Sequence, residues 1–279
     1  MPLRFVSEAL LTTFFPAPCR LCGVGLTNFS RLPVCQPCLD SIMPAVGAMC
    51  EICGERLAGE FLPPRCEMCR RHRLPFRKAV ACAAYDGEVR ALLHLFKYQG
   101  VKSAAHPLGK LLAIAIAKLG RELADGGEAP ILVAPVPLHG AKQRARGFNQ
   151  SELITRSALR QLRQIWDGPP LLYSPRLLMR VRRTEAQMGL SRHQRRSNLR
   201  NAFRLRRPEG AGRRRVLLVD DILTTGSTLA ECARTLNRAG AEGVWAATIA
   251  RAFRFSAAEL NRWHFNGLEQ AASIQHLME

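Results

Sequence analysis

Apolar positions change their spacing along this chain, and each change predicts a different kind of structure. Residues 1–15 place apolar side chains at helical spacing around Glu8 and predict an amphipathic N-terminal helix. Residues 16–75 have no steady period and are rich in cysteine instead. From residue 78 to 252 short apolar runs alternate with helix-spaced segments, and 253–279 form a C-terminal tail. Strands are predicted over Ala79–Tyr85, Ile131–Ala134, Val216–Val219 and Gly243–Ala250. Helices are predicted over Glu88–Tyr98, Pro107–Leu119, Asn149–Leu162, with an Asn or Ser N-cap, and Ser227–Ala239. Leu177–Leu205 is a basic stretch that reads as a long hairpin or excursion, and Gly126, Gly127, Gly168, Pro169 and Pro170 mark loops. Unbroken apolar strands separated by helices imply an α/β fold, a parallel sheet covered on both faces.

Composition then excludes whole classes. Of 279 residues, 47% are hydrophobic and 23% charged, the balance of a folded globular protein. The longest apolar stretches, such as Leu111–Ala117 and Ile131–Leu138, fall short of the roughly 20 residues that span a bilayer. Glu8 interrupts the first apolar run and no small-residue cleavage site precedes Cys19, so the start reads as cytoplasmic rather than secretory. The formal charge is +19, and residues 140–215 carry +16 of it, with 20 basic and 4 acidic side chains. Nineteen of those twenty are arginine, whose planar fork grips phosphate, so the block suggests an anionic partner; plain solubility is the competing explanation.

Eight cysteines sit on a ruler. Cys19, Cys22, Cys35 and Cys38 form C-x2-C-x12-C-x2-C, and Cys50, Cys53, Cys66 and Cys69 repeat it 31 residues later. Gly23 and Gly54 follow the leading pairs, where a knuckle turn requires positive φ. Two such sets supply thiolates for two structural, closed zinc sites; iron suits the same ligands, and the knuckles either close sequentially or interleave. Disulfides would need an oxidising compartment, and a redox CxxC would come once. Cys82 and Cys232 stand off the ruler in apolar surroundings and read as small buried hydrophobes.

The most specific segment is V-L-L-V-D-D-I-L-T-T-G-S-T-L at 216–229. A buried strand delivers Asp220 and Asp221, then a loop of hydroxyls and glycine, then a helix N-terminus. Thr224, Thr225, Ser227 and Thr228 offer hydroxyls, Gly226 lets the backbone approach a phosphate, and the helix start holds an anion. The acids suit ribose hydroxyls at the carboxyl edge of a sheet. This segment resembles the type I phosphoribosyltransferase loop that holds the 5-phosphate and ribose of 5-phosphoribosyl-1-pyrophosphate (PRPP).

With that loop, the cysteine-rich front, F-K-Y-Q-G (96–100), V-P-L-H-G-A-K-Q-R-A-R-G-F-N-Q (136–150) and T-E-A-Q-M-G-L-S-R-H-Q-R-R-S-N-L-R-N-A-F (184–203) resemble the ComF family over roughly residues 16–252. The resemblance implies a type I phosphoribosyltransferase-like sheet behind a double zinc ribbon (16–75), PRPP as ligand with Mg²⁺, and a link to incoming single-stranded DNA and the DNA-uptake machinery. It places Asp220 and Asp221 at ribose, Thr224 to Thr228 at the 5-phosphate, and Arg144 and Arg146 near pyrophosphate. It also puts the 180–203 excursion, with Thr184, Gln187, Arg195 and Asn198, in the place of the substrate-closing flap. Lys97 is either a further pyrophosphate contact or a snorkelling surface lysine.

The chain departs from the hypoxanthine and orotate branches at Thr224, where those often carry an Asp, so a base acting on a purine ring is missing. Two functions follow. One is a phosphoribosyltransferase whose acceptor is unknown. The other is a non-catalytic PRPP sensor that handles single-stranded DNA through Arg192, Arg195, Arg196 and Arg200. Aromatics are only 6%, so such DNA contact is expected to be largely electrostatic.

Overall fold

The computed structural model describes residues 17–26, 31–57, 64–125, 127–182 and 199–254. The two cysteine repeats fold alike. In the first, Cys19 N–H donates to Val24 O at 2.7 Å and Gly23 N–H to Cys19 O at 2.8 Å; in the second, Cys50 N–H donates to Glu55 O and Gly54 N–H to Cys50 O at the same two distances. Gly23 (φ +79°) and Gly54 (φ +65°) take the left-handed turn that each knuckle needs. The third cysteine of each set then opens a single helical turn, α1 (Gln36–Asp40) and α2 (Glu67–Arg71).

The rest of the chain builds one parallel sheet. Its strands are β1 (Lys78–Ala84), β2 (Ile131–Pro135), β3 (Leu171–Tyr173), β6 (Arg215–Leu223) and β7 (Gly243–Arg251), in the order β1-β7-β6-β2-β3. Short antiparallel strands β4 (Leu178–Arg180) and β5 (Phe203–Leu205) form a separate hairpin, as the basic excursion implied. The helices are α3 (Gly87–Tyr98), α4 (Ala105–Ala117), α5 (Gly120–Ala124), α6 (Gly140–Arg146), α7 (Gln150–Leu162) and α8 (Ser227–Arg238).

Alternation along β6 explains why its sequence shows no period. Leu217 and Val219 pack with Leu92, Leu112 and Ile154 of α3, α4 and α7. Val216 and Leu218 pack on the other face with Leu229, Ala233 and Leu236 of α8 and Phe203 of the hairpin. Both faces are covered here, so every position from Val216 to Val219 is apolar. The first ribbon joins one of these cores through Cys19 and Val34, whereas Cys50, Cys53, Leu57 and Cys66 form a small cluster of their own.

Three expectations need correction. β6 does not stop at Val219 but runs to Leu223, because β7 continues to pair with it through Ile222↔Ala250 and Leu223↔Arg251. The acid pair therefore sits within a strand and not at its end. Edge strand β3 escaped notice because three residues paired on one side show no periodicity. Helix α6 was hidden because it buries nothing; Gly147, at φ +78°, ends it.

The topology locates a crevice. β2 crosses through α7 to β3 on one side, and β6 crosses through α8 to β7 on the other. The strand order thus reverses between β2 and β6, and open α/β sheets bind ligands at the carboxyl ends flanking such a reversal.

Candidate functional site

That crevice holds the predicted loop. β6 delivers Asp220 and Asp221, Thr224 faces solvent, and Thr225, Gly226 and Thr228 are half-buried while Ser227 is buried. Gly226 adopts φ +75° immediately before α8, so the chain turns sharply and the helix begins at Ser227. The Thr225 and Ser227 hydroxyls lie 2.9 Å apart, and Thr225 Oγ1 accepts from the Ser227 amide at 3.4 Å. Hydroxyls and the positive end of a twelve-residue helix converge on one spot, which suits an anion.

Both acids are held by groups from other elements. Asn149 caps α7 by accepting from Ser151 N–H at 3.1 Å and ties itself to the residue just after β2 by donating to Val136 O at 3.2 Å. Ser151 then donates its hydroxyl across the crevice to Asp220 Oδ1 at 2.8 Å. Lys97, on α3, pairs with Asp221 Oδ1 at 2.8 Å, its side chain only 12% exposed. It is thus neither a snorkelling surface lysine nor free for another anion while this pair is made. Asp221 Oδ2 is buried and has no hydrogen-bond partner. A carboxylate oxygen in that position accepts a hydroxyl proton or a cation.

Burial raises the Asp220 carboxyl to about 7, the neighbouring Asp221 charge adds to the rise, and the Ser151 hydroxyl works against it. The folded chain therefore keeps a proton that the unfolded chain loses near pH 4, so this group's contribution to stability falls as pH rises from about 4 to 7. A cation or hydroxyl donor at Asp220 favours the deprotonated form, so ligand affinity is expected to move the other way. It should drop as pH falls below about 7, by no more than about tenfold per unit for one linked proton. Calorimetry from pH 8 to pH 6 on wild type and Asp220→Asn checks this: the variant should lose that component of the profile.

The arginines divide by environment. Arg146 donates to Gln150 Oε1 at 2.6 Å and lies over the Tyr98 ring at 5.5 Å, while Arg144 is exposed on α6. Arg215, 1% exposed, donates to Leu123 O and Gly127 O at 2.5 and 2.7 Å and also to Ala129 O, so this member of the basic block braces a loop and does not face an outside anion. Arg200 is exposed. Thr184, Gln187, Arg192, Arg195, Arg196 and Asn198 lie outside the described residues. Sequence reasoning missed Ser151 and Arg180. The latter packs over Phe203, and burial lowers its pKa against the opposing pull of Cys232 and Asp220.

The cysteines close sequentially. Cys19, Cys22, Cys35 and Cys38 bring their sulfurs within 4.8 Å of one another, and so do Cys50, Cys53, Cys66 and Cys69. Cys22–Cys35 and Cys53–Cys66 stand 3.6 Å apart, close to the edge of about 3.8 Å expected for a tetrahedron with 2.3 Å metal–sulfur bonds. Burial pushes the Cys19 thiol up, but amides of Cys22, Cys35 and Leu21 outweigh it and bring it to about 6, a thiolate ready for a metal. Both clusters thus fit a metal ion. The second has an extra neighbour: Arg251 donates to Cys53 O at 2.6 Å, reaches Cys53 Sγ at 3.7 Å and pairs with Glu55 at 2.9 Å. Cys82 and Cys232 are fully buried, as expected, and burial raises both thiols.

Residues 149–262 match the phosphoribosyl transferase domain family. A DNA utilization protein YhgH from Salmonella typhimurium is 33% identical over 230 residues, which are 82% of this chain and 94% of that protein. Competence protein F from Haemophilus influenzae is 32% identical over 245 residues, 87% of this chain and all of that one. The chain belongs to the ComF family. A hypoxanthine-guanine phosphoribosyltransferase from Schistosoma mansoni, solved with IMP, is 15% identical to this ComF chain; the match covers 54% and 61% of the two chains at a TM-score of 0.31. Among the described residues of this ComF chain, no helix is long and apolar enough to cross a membrane.

Proposed function

We propose that this chain binds PRPP with Mg²⁺ at the β2/β6 crevice, and that it serves DNA utilisation as a cytoplasmic member of its family. The reading takes residues 78–252 as the phosphoribosyltransferase-like domain and 16–75 as a double ribbon holding two zinc ions. The observation that carries it is the acid pair: Asp220 tethered by Ser151, Asp221 by Lys97, with Asp221 Oδ2 buried and unpartnered above a hydroxyl loop. Thr225, Ser227, Thr228 and the α8 N-terminus take the 5-phosphate. Asp220 and Asp221 accept from the ribose hydroxyls, displacing Lys97, whose freed ammonium then lies beside pyrophosphate. Arg144 and Arg146 approach pyrophosphate from α6, and Thr184, Gln187, Arg195 and Asn198 belong to the closing flap. Mg²⁺, when bound with PRPP, neutralises pyrophosphate and stabilises its departure.

A transferase acts here by positioning the anomeric carbon and stabilising the leaving group. Thr224 offers no proton acceptor near pH 7, so the nucleophile must come ready to attack or find its base elsewhere. That same gap favours the sensor as second reading. Incubating the protein with PRPP, Mg²⁺ and a panel of acceptors, and following pyrophosphate, separates the two. Acceptor-dependent release supports the transferase; PRPP binding without release supports the sensor; neither binding nor release contradicts the proposal.

A further inference from the structure

A guanidinium buried at the end of a strand needs acceptors within reach, because an unpaired charge away from water is costly. Arg251 is the last residue of β7, and its side chain is only 4% exposed. Nη1 donates to Cys53 O at 2.6 Å, and Nη2 donates to Glu55 Oε2 at 2.9 Å and lies 3.7 Å from Cys53 Sγ. Nε is buried with no hydrogen-bond partner. Among the described residues, this charge is therefore compensated by one knuckle of the second ribbon, at a metal-ligating cysteine. Glu55 Oε1 adds a further tie by accepting from the Arg254 amide at 3.2 Å.

The same residue abuts the ligand loop. Arg251 pairs in register with Leu223, the last residue of β6, and the next amide, Ala252 N–H, donates to Leu223 O at 2.9 Å. Leu223 is 2% exposed, and its Cδ1 lies 3.5 Å from where a Cβ on Gly226 would stand. Its side chain thus seats the left-handed turn that opens α8. Cys53, Arg251, Leu223 and Gly226 form one unbroken series from a metal-site sulfur to the hydroxyl loop. The first ribbon is attached differently. Arg20 donates to Gln99 Oε1 at 2.8 Å and Ser103 to Arg31 O at 2.7 Å, both at exposed positions beyond the end of α3.

We propose that Arg251 is a positioning residue for PRPP, and that through it metal occupancy of the second ribbon and PRPP affinity are linked. The proposal rests on the reading of the β2/β6 crevice given above. The knuckle keeps its shape when a metal joins its four sulfurs. Without the metal, Cys53 O and Glu55 leave their places, and the Arg251 charge regains solvation by drawing the end of β7 away from β6. That unseats Leu223 and with it the Gly226 turn, where hydroxyls and amides must already converge for an anion to bind. PRPP binds the ordered loop in preference to the loosened one, which is the differential affinity that coupling requires. Metal and PRPP favour the same arrangement, so each tightens the other by one common factor.

The test is equilibrium competition for zinc between the zinc-loaded full chain and a chromophoric chelator, with and without saturating PRPP and Mg²⁺. PRPP should raise the affinity for one of the two zinc ions at least about fivefold, the lower bound of ordinary coupling. Cys22→Ser, which keeps zinc in the second ribbon, assigns that ion: PRPP should tighten it by the same factor. Arg251→Met with Glu55→Gln removes both buried charges and keeps an acceptor for the Arg254 amide. That variant should still hold two zinc ions, bind PRPP more weakly and show less than about twofold dependence of zinc affinity on PRPP. Calorimetry on the same samples separates the outcomes. Wild type that binds no PRPP overturns the crevice reading and the proposal together. PRPP binding that leaves both zinc affinities unchanged overturns the coupling alone, as does an effect confined to the first ribbon's ion. So does an effect that persists in Asp220→Ala, Asp221→Ala, where PRPP would be acting outside the crevice, or in Arg251→Met, Glu55→Gln.

Discussion

Replacing Cys53 by serine is expected to damage far more than the knuckle that carries it. A structural zinc site contributes on the order of 10–16 kcal/mol to ordering its own loop, so the second ribbon should lose its fold. Arg251 and Glu55 are then stranded. Their side chains are 4% and 9% exposed, and the guanidinium also leans on Cys53 O and Sγ. Unfolding of that ribbon takes Glu55 away from Arg251, and a buried ion pair that loses one partner costs about 3–5 kcal/mol. Arg251 ends β7 beside Leu223, so that cost falls on the sheet itself. Cys22→Ser, at an exposed cysteine of the first cluster, should loosen its own ribbon and the packing of Cys19 and Val34 on the core, but it strands no buried charge, so the sheet's unfolding midpoint should fall less. Elemental analysis should give two zinc per wild-type chain and one in each variant. Denaturant unfolding followed at Trp245, buried in β7, should separate the variants clearly; equal midpoints would contradict the role given to Arg251.

The second large effect concerns the acid pair. Asp220→Ala with Asp221→Ala is expected to weaken PRPP binding by about 2–4 kcal/mol, or about 30- to 1000-fold, as hydrogen bonds to charged acceptors are lost. Fold should survive, because the pair is not a structural keystone: burial raises the carboxyl of Asp220, and Asp221 Oδ2 has no partner. Lys97 provides the internal control. With Asp221 gone its ammonium is buried without its counter-ion, so Asp221→Ala alone should cost more stability than Asp221→Ala with Lys97→Met. Thermal melts of the three variants measure this, and PRPP calorimetry on the same samples separates folding from binding.

Much of this architecture could be read from residues because it depends on local rules. The cysteine ruler implied two sites, and the repeated knuckle bonds and positive-φ glycines bear that out. Apolar strands and capped helices emerged within a few residues of their bounds, since burial on two faces leaves no polar position to confuse the pattern. What escaped depends on distant partners. Nothing around Lys97 in F-K-Y-Q-G shows that it reaches an acid 124 positions later. Arg213, Arg214 and Arg215 look alike in sequence, yet only Arg215 is buried, because it opens a strand beside carbonyls at the end of α5 and in the loop after it. Counting all three toward an anionic partner overstated the basic block. β6 outran its prediction because two aspartates look like a strand's end, while the ladder to β7 carries on through them.

The most direct measurement is a calorimetric titration of PRPP with Mg²⁺ into the zinc-loaded wild-type chain at pH 8, above the point where Asp220 gains its proton. The account predicts one PRPP per chain, competition by pyrophosphate and by ribose 5-phosphate, and loss of the signal in the Asp220→Ala, Asp221→Ala double variant. No binding, or equal binding by wild type and double variant, would contradict it.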